Sequence, residues 1–131
     1  MYETDKKEEG IKTLTKALAY VNYKPSIFDE RARMYSEMEN FDLAINDFTQ
    51  QINLCNDKKH CDYRSRGLTY LRMNQQEKAI ADFSLQMKYS PEPFDYISRA
   101  KAYKALWKFK AAEADIAKAR KMSTATGLED F

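Results

Sequence analysis

The sequence predicts an all-α chain, an α-solenoid of antiparallel helix pairs, from three observations. First, Arg31-Ala32-x-x-Tyr35 recurs as Arg66-Gly67-x-x-Tyr70 and as Arg99-Ala100-x-x-Tyr103. Second, thirteen residues after each Arg stands an Ala (Ala44, Ala79, Ala112). Three residues further is an Asp (Asp47, Asp82, Asp115), followed by Phe48, Phe83 or Ile116. The Ala residues lie 35 and 33 positions apart, and a period near 34 marks a stack of small units, each lacking a core until its neighbours cover it. Third, apolar residues recur at three- and four-residue spacing, the pattern of amphipathic helices.

Each element has its own grounds. Ile11, Leu14, Leu18 and Val21 form one stripe on a lone first helix over 5–22. Pro25 ends it, and Ser26 is placed to cap a helix over 27–38. A turn at Glu39-Asn40 leads into a helix carrying Phe41, Ala44, Ile45, Phe48 and Ile52. Asn56-Asp57-Lys58-Lys59 reads as a polar loop, with helices following at 61–73, 76–89, 94–106 and 109–122. Asn74-Gln75 and Ser90-Pro91-Glu92-Pro93 supply two of the breaks. One domain over 1–131 is expected, with repeats at 26–56, 60–91 and 93–122 and a frayed tail at 123–131.

The bulk properties fit. The chain has 131 residues, 44% hydrophobic and 13% aromatic, with three Gly and three Pro, a composition for a folded domain rather than a loop-rich one. Twenty-two basic and 20 acidic residues give a formal charge of +2, too balanced to call for nucleic acid. No apolar stretch approaches the length of a membrane span. The polar start, Met1-Tyr2-Glu3-Thr4-Asp5-Lys6-Lys7-Glu8-Glu9, is not a signal or transit peptide. A soluble, cytoplasmic chain is therefore expected, without nucleic-acid or membrane partners.

The repeated columns have packing tasks. Ala32, Gly67 and Ala100 let the first helix of a pair approach its partner, where Ala44, Ala79 and Ala112 present the matching small surface. Tyr35, Tyr70 and Tyr103 fill the gap against Phe48, Phe83 and Ile116. Arg31, Arg66 and Arg99 each precede Asp47, Asp82 and Asp115 by sixteen residues. One partner lies on each helix of a pair, so an ion pair within each repeat, fixing register, is expected.

Together these columns resemble the tetratricopeptide repeat, a 34-residue helix-turn-helix unit with small-residue, Tyr and Ala-x-x-x-Phe signatures. The middle repeat carries it best, in Gly67, Tyr70, Ala79, Phe83 and Pro91. Ala32, Tyr35, Phe41, Ala44 and Phe48 match in the first repeat, and Ala100, Tyr103, Phe109 and Ala112 in the last. Gly10, Ile11, Leu14, Ala17 and Leu18 look like the second helix of an earlier repeat. Gln51 and Gln86 depart from the pattern, standing where a small residue is usual, and Asn56 and Thr124 stand where Pro is frequent. The resemblance implies about 3.5 repeats in a right-handed superhelix.

It also implies a concave groove lined by the first helices and holding a peptide or a partner helix. The residues expected to face it are Asp29, Arg33, Ser36 and Glu37, then Arg64, Leu68, Leu71 and Arg72, then Phe94, Ile97, Lys101 and Lys104. That surface is mainly basic with apolar residues interleaved, which suits an acidic or C-terminal-carboxylate ligand. The clamp by which chaperone-binding members hold an acidic tail is not matched. Asp29, Arg33, Ser65 and Ile97 replace its Lys and Asn residues, and Lys101 alone keeps the charge.

Cys55 and Cys61 flank the loop that carries His60, the sole histidine. In a cytoplasmic chain two reduced thiols are expected. A disulfide and a metal site completed by His60 with Asp57 or Asp62 are the alternatives. No Gly-rich phosphate loop or nucleophile–base constellation is present, so no catalysis, cofactor or metal is expected. The leading expectation is a non-catalytic protein-binding module. The alternative is an assembly unit that extends a longer solenoid or forms a homo-oligomer through its ends.

Overall fold

The computed structural model describes residues 2–20 and 25–125, and its helices stack in chain order, each against the next. They are α1 (Tyr2–Tyr20), α2 (Pro25–Glu37), α3 (Phe41–Leu54), α4 (Tyr63–Arg72), α5 (Gln76–Tyr89), α6 (Pro93–Ala105) and α7 (Phe109–Ala125). A short 3-10 turn, Lys58–His60, interrupts the α3–α4 connection. There is no strand among the described residues. The chain is an all-α solenoid in which α2–α3, α4–α5 and α6–α7 are the helix pairs and α1 stands alone before them.

Several boundaries differ from the sequence reading for local reasons. Pro25 opens α2 instead of only ending α1, because the first position of a helix needs no N–H donor. Ser26 therefore lies inside the helix. α4 starts two residues later than expected, at Tyr63, because Asp62 caps it, its carboxylate accepting from the Ser65 N–H at 2.9 Å. α7 runs on to Ala125, through residues expected to fray. Ser123 is buried there and Thr124 Oγ1 donates back to the Arg120 carbonyl at 3.0 Å. Val21, Asn22 and the tail beyond Ala125 lie outside the described residues.

Each pair closes through the same turn. Asn40, Gln75 and Lys108 donate to the carbonyls of Tyr35, Tyr70 and Tyr103 at 2.8–2.9 Å, while Glu39, Asn74 and Trp107 donate to Ser36, Leu71 and Lys104 at 3.0 Å. This double bond is the Schellman ending of a helix, and it demands a left-handed residue. Glu39, Asn74 and Trp107 take that position with φ of 62°, 57° and 61°.

Packing follows the small-against-large columns. Ala32, Ala44 and Phe48 form one buried cluster with Tyr35 against it. In the middle repeat a Cβ at Gly67 would stand 3.1 Å from the Phe83 ring, so the missing side chain is what lets α4 sit against α5. At Gly10 a Cβ would come within 2.9 Å of the sulfur and terminal methyl of Met34, the mobile end of a side chain that can move aside.

Candidate functional site

The Arg columns form a ladder through the stack. Arg31 holds Asp47 by two bonds of 2.7 and 2.8 Å, Arg66 holds Asp82 by two of 2.8 Å, and Arg99 holds Asp115 by bonds of 2.8 and 2.6 Å. The carboxylates are almost fully buried and the guanidinium groups mostly so. Hydrogen bonding to its Asp raises each Arg further above its ordinary value. Burial pushes Asp82 up, against the opposing pull of Arg66. Each Arg also reaches the preceding repeat: Nη1 donates to Thr15 Oγ1 at 3.0 Å, Thr49 Oγ1 at 3.2 Å and Ser84 Oγ at 3.0 Å, respectively. One side chain thus ties three helices. The hydroxyl partners escape a reading of the sequence because they mix Thr with Ser and lie 16, 17 and 15 residues from their Arg.

The first helices of the pairs, α2, α4 and α6, touch one another from repeat to repeat along the face expected to hold a ligand. A recess of about 240 Å³ opens between α2 and α4, lined by Ser65, Leu68, Thr69 and Arg72 of α4, by Arg33, Ser36 and Glu37 of α2, and by Phe48 of α3. Arg33, with its side chain 60% exposed, lies 2.8 Å from Asp29 and 3.6 Å from Asp62. Arg72 donates to the Ser36 carbonyl at 2.8 Å and stacks over Phe41 at 5.0 Å. Leu71 and Ile97 are half-buried and Phe94 is half-exposed. Lys101 and Lys104 are exposed on α6.

Arg64 corrects the sequence reading. It was expected to offer its charge to a groove ligand, but it is directed at Asp95 on α6 through bonds of 2.6 and 2.9 Å. Asp95 is fully buried, and it also accepts the Glu92 N–H at 3.0 Å in a capping box at the start of α6. The reason is solvation: a buried carboxylate needs a cation close by, and Arg64 is the one in reach. This pair spans 31 residues and occurs once, so no periodicity announces it. Gln51 and Gln86 also gain a role. Gln51 accepts from the Asp62 N–H at 2.9 Å and donates to the His60 carbonyl at 3.2 Å, and Gln86 accepts from the Arg64 N–H at 3.0 Å. Buried amides replace small residues there because they satisfy the backbone entering α4.

A second recess, about 210 Å³, lies where the α3–α4 connection meets this face, and Asp29 and Asp62 line it side by side. Burial, then the hydrogen bond with Asp62, pushes the Asp29 carboxyl up to about 8, with Arg33 opposing. Burial acts on Asp62 too, but its bonds with Asp29 and Ser65 outweigh it and hold that carboxyl below the usual range. The two share one proton near neutral pH.

The cysteines are a second correction. Two reduced thiols were expected, whereas Cys55 and Cys61 are joined in a disulfide across a Cα–Cα distance of 5.8 Å. The 3-10 turn folds the connection back so that the two side chains meet. Neither sulfur is a metal ligand as a result. His60 Nδ1 stands 3.0 Å from the Asp57 carboxylate instead. Among the described residues no group of three metal-ligating side chains comes together, and no helix is long and apolar enough to cross a membrane.

No protein-family model matches the chain, and no curated protein matches it. Solved structures do. A crystal structure of MamA superposes with a TM-score of 0.84 at 20% identity, covering 89% of this chain and 68% of that one. A tetratricopeptide repeat protein from Parabacteroides merdae matches with a TM-score of 0.58 at 20% identity, over 89% of this chain and 59% of its own. The C-terminal part of a TPR repeat-containing protein from Cytophaga hutchinsonii gives 0.57 at 16% identity, over 92% and 61%.

Proposed function

We propose, from the tetratricopeptide-repeat fold that these likenesses show, that the chain is a non-catalytic module binding an extended, acidic segment of a partner protein along α2, α4 and α6. The observation that carries this reading is the 240 Å³ recess with Leu68 and Phe48 inside and two cations, Arg33 and Arg72, against one carboxylate, Glu37, around them. Beyond it stand Lys101 and Lys104, exposed and in no ion pair among the described residues. An apolar socket sets register while flanking cations meet carboxylates. Arg64 supports the wall through Asp95 and touches no ligand in this scheme.

The test is an affinity capture read by mass spectrometry, comparing the native chain with Arg33→Glu/Lys101→Glu/Lys104→Glu. Arg64 is left intact so that the fold is not disturbed, and equal helical circular dichroism is the control. A partner retained by the native chain and lost by the variant supports the groove. Identical partners on both refute it.

A second reading, assembly through the N-terminal end, has its own observation. Glu30, Met34 and Glu37 stand 35 positions before Ser65, Thr69 and Arg72, the α4 column that contacts Ser36 of α2. In the first repeat the same column faces an open groove of about 450 Å³, walled by Lys6 and Lys7 of α1. A helix of another copy seated there would make the mass by light scattering rise with concentration, and Glu30→Lys would reduce it. A strict monomer at all concentrations excludes this route.

A further inference from the structure

The turn between α6 and α7 carries an aromatic pair that the fold does not need. Trp107 is 80% exposed and holds a left-handed backbone at φ 61°. Its counterparts in the other repeats are Glu39 and Asn74, both polar. A bulky residue is strained in this conformation, where Gly is at ease. Neither packing nor backbone preference therefore accounts for Trp107. Phe109, half-exposed, meets its ring edge-on with centroids 5.8 Å apart, so the two form one apolar tip.

The surroundings of the tip are cationic. Lys104, Lys108 and Lys110 are exposed and in no ion pair among the described residues. From Tyr96 to Ala114 the sequence has a single carboxylate, Glu113. The kind of cation is informative. Arg31, Arg64, Arg66 and Arg99 are each fixed in a two-bond fork on an internal carboxylate, whereas the tip carries only lysines. Point charges on flexible stems suit a diffuse negative surface better than a geometrically fixed carboxylate.

We propose that the α6–α7 turn is a peripheral membrane anchor: Trp107 and Phe109 enter the headgroup region of an anionic bilayer, and Lys108 and Lys110, backed by Lys104, face its charged lipids. Tryptophan settles at such an interface because its indole is apolar with one polar N–H. Each lysine near an anionic surface contributes on the order of 1 kcal/mol, fading with salt. The contact is with the surface only, and Lys104 is the one residue it shares with the face proposed for protein partners.

Trp107 is the only tryptophan in the chain, beside nine tyrosines, so emission excited selectively through tryptophan reports on this turn alone. The probe is vesicles of equal parts phosphatidylserine and phosphatidylcholine. The expected result is a blue shift with these vesicles, absent with phosphatidylcholine alone and reversed by salt. Lys108→Gln/Lys110→Gln should bind about 30-fold more weakly. Trp107→Gly should lose co-sedimentation with the vesicles yet unfold at a higher temperature, because Gly relieves the left-handed strain. Unchanged emission overturns the proposal. So does a shift that grows with protein concentration without lipid, which would put a second copy on the tip. A shift with polyglutamate and none with vesicles would assign the tip to an acidic protein instead, and a loss of stability in Trp107→Gly would make Trp107 structural.

Discussion

Removing Asp82 from the middle rung of the ladder should reveal how the stack is held. Its carboxylate is 4% exposed and the Arg66 guanidinium 17% exposed, joined by two bonds of 2.8 Å. Asp82→Ala leaves the guanidinium with Thr49 at 3.2 Å as its remaining hydrogen-bond partner. Breaking a buried pair from one side costs about 3–5 kcal/mol. The slight exposure of Arg66 lets water reach it, so about 3 kcal/mol is expected, a large part of the roughly 5–15 kcal/mol of a whole domain. Arg66→Met behaves differently, because burial already drives the Asp82 carboxyl upward and Arg66 is what opposes it. Without Arg66 the folded state holds a proton that the unfolded chain releases, so the variant loses stability as pH rises above the ordinary carboxylate range. It should be less impaired near pH 5 than near pH 8. The double variant Arg66→Met/Asp82→Leu removes both charges together and should lie within about 1 kcal/mol of the native chain. Urea unfolding followed by helical circular dichroism measures all three. A loss under about 1 kcal/mol for Asp82→Ala, or a double variant as unstable as the sum of the singles, would refute the reasoning.

Other outcomes follow from the neighbouring groups. The Asp29 carboxyl, raised from 3.8 to about 8, keeps a proton in the fold that the unfolded chain gives up. Its contribution to stability therefore declines from about pH 4 to about pH 8 and then levels off. Asp29→Asn lacks this decline, so its advantage over the native chain should grow by on the order of 1–3 kcal/mol between pH 6 and pH 9; parallel melting profiles would count against the shared proton. Arg64→Ala should lower the melting temperature even without any ligand, since it strands the buried Asp95; an unchanged melt would return Arg64 to the groove. Thiol titration of unfolded, unreduced protein should find no free thiol, in keeping with the Cys55–Cys61 bond. Two thiols per chain would restore the reduced pair expected of a cytoplasmic protein.

What could be read from the sequence depended on repetition. The Arg and Asp columns are visible because one spacing recurs three times with one residue type at each end. The left-handed turn position is equally regular in space, yet Glu39, Asn74 and Trp107 share no chemistry, and no glycine flags it. The residues of the proposed groove were named from the family resemblance, which says which helices line it but not what each side chain meets. Arg64 faces the groove wall and is taken up by Asp95, a contact between helices of different repeats. Gln51 and Gln86 looked like departures from a pattern, and the structure shows them serving backbone groups that periodicity does not count. The disulfide depended on the path of the α3–α4 connection, and a polar loop does not disclose its own path.

The three-helix tie gives every repeat a plug, and a socket for it on the helix that precedes the repeat. The plug is the outer nitrogen of the Arg, and the socket is the hydroxyl five positions after the small residue of the preceding second helix. Gly10 leads to Thr15, Ala44 to Thr49 and Ala79 to Ser84, but Ala112 leads to Ala117, a methyl group. A repeat copied in frame between existing repeats would find a socket behind it and offer one ahead. A repeat grafted after α7 would bring a plug to a surface that cannot accept it. A designer wishing to seat a further repeat against α7 by the same tie would first place a hydroxyl at Ala117.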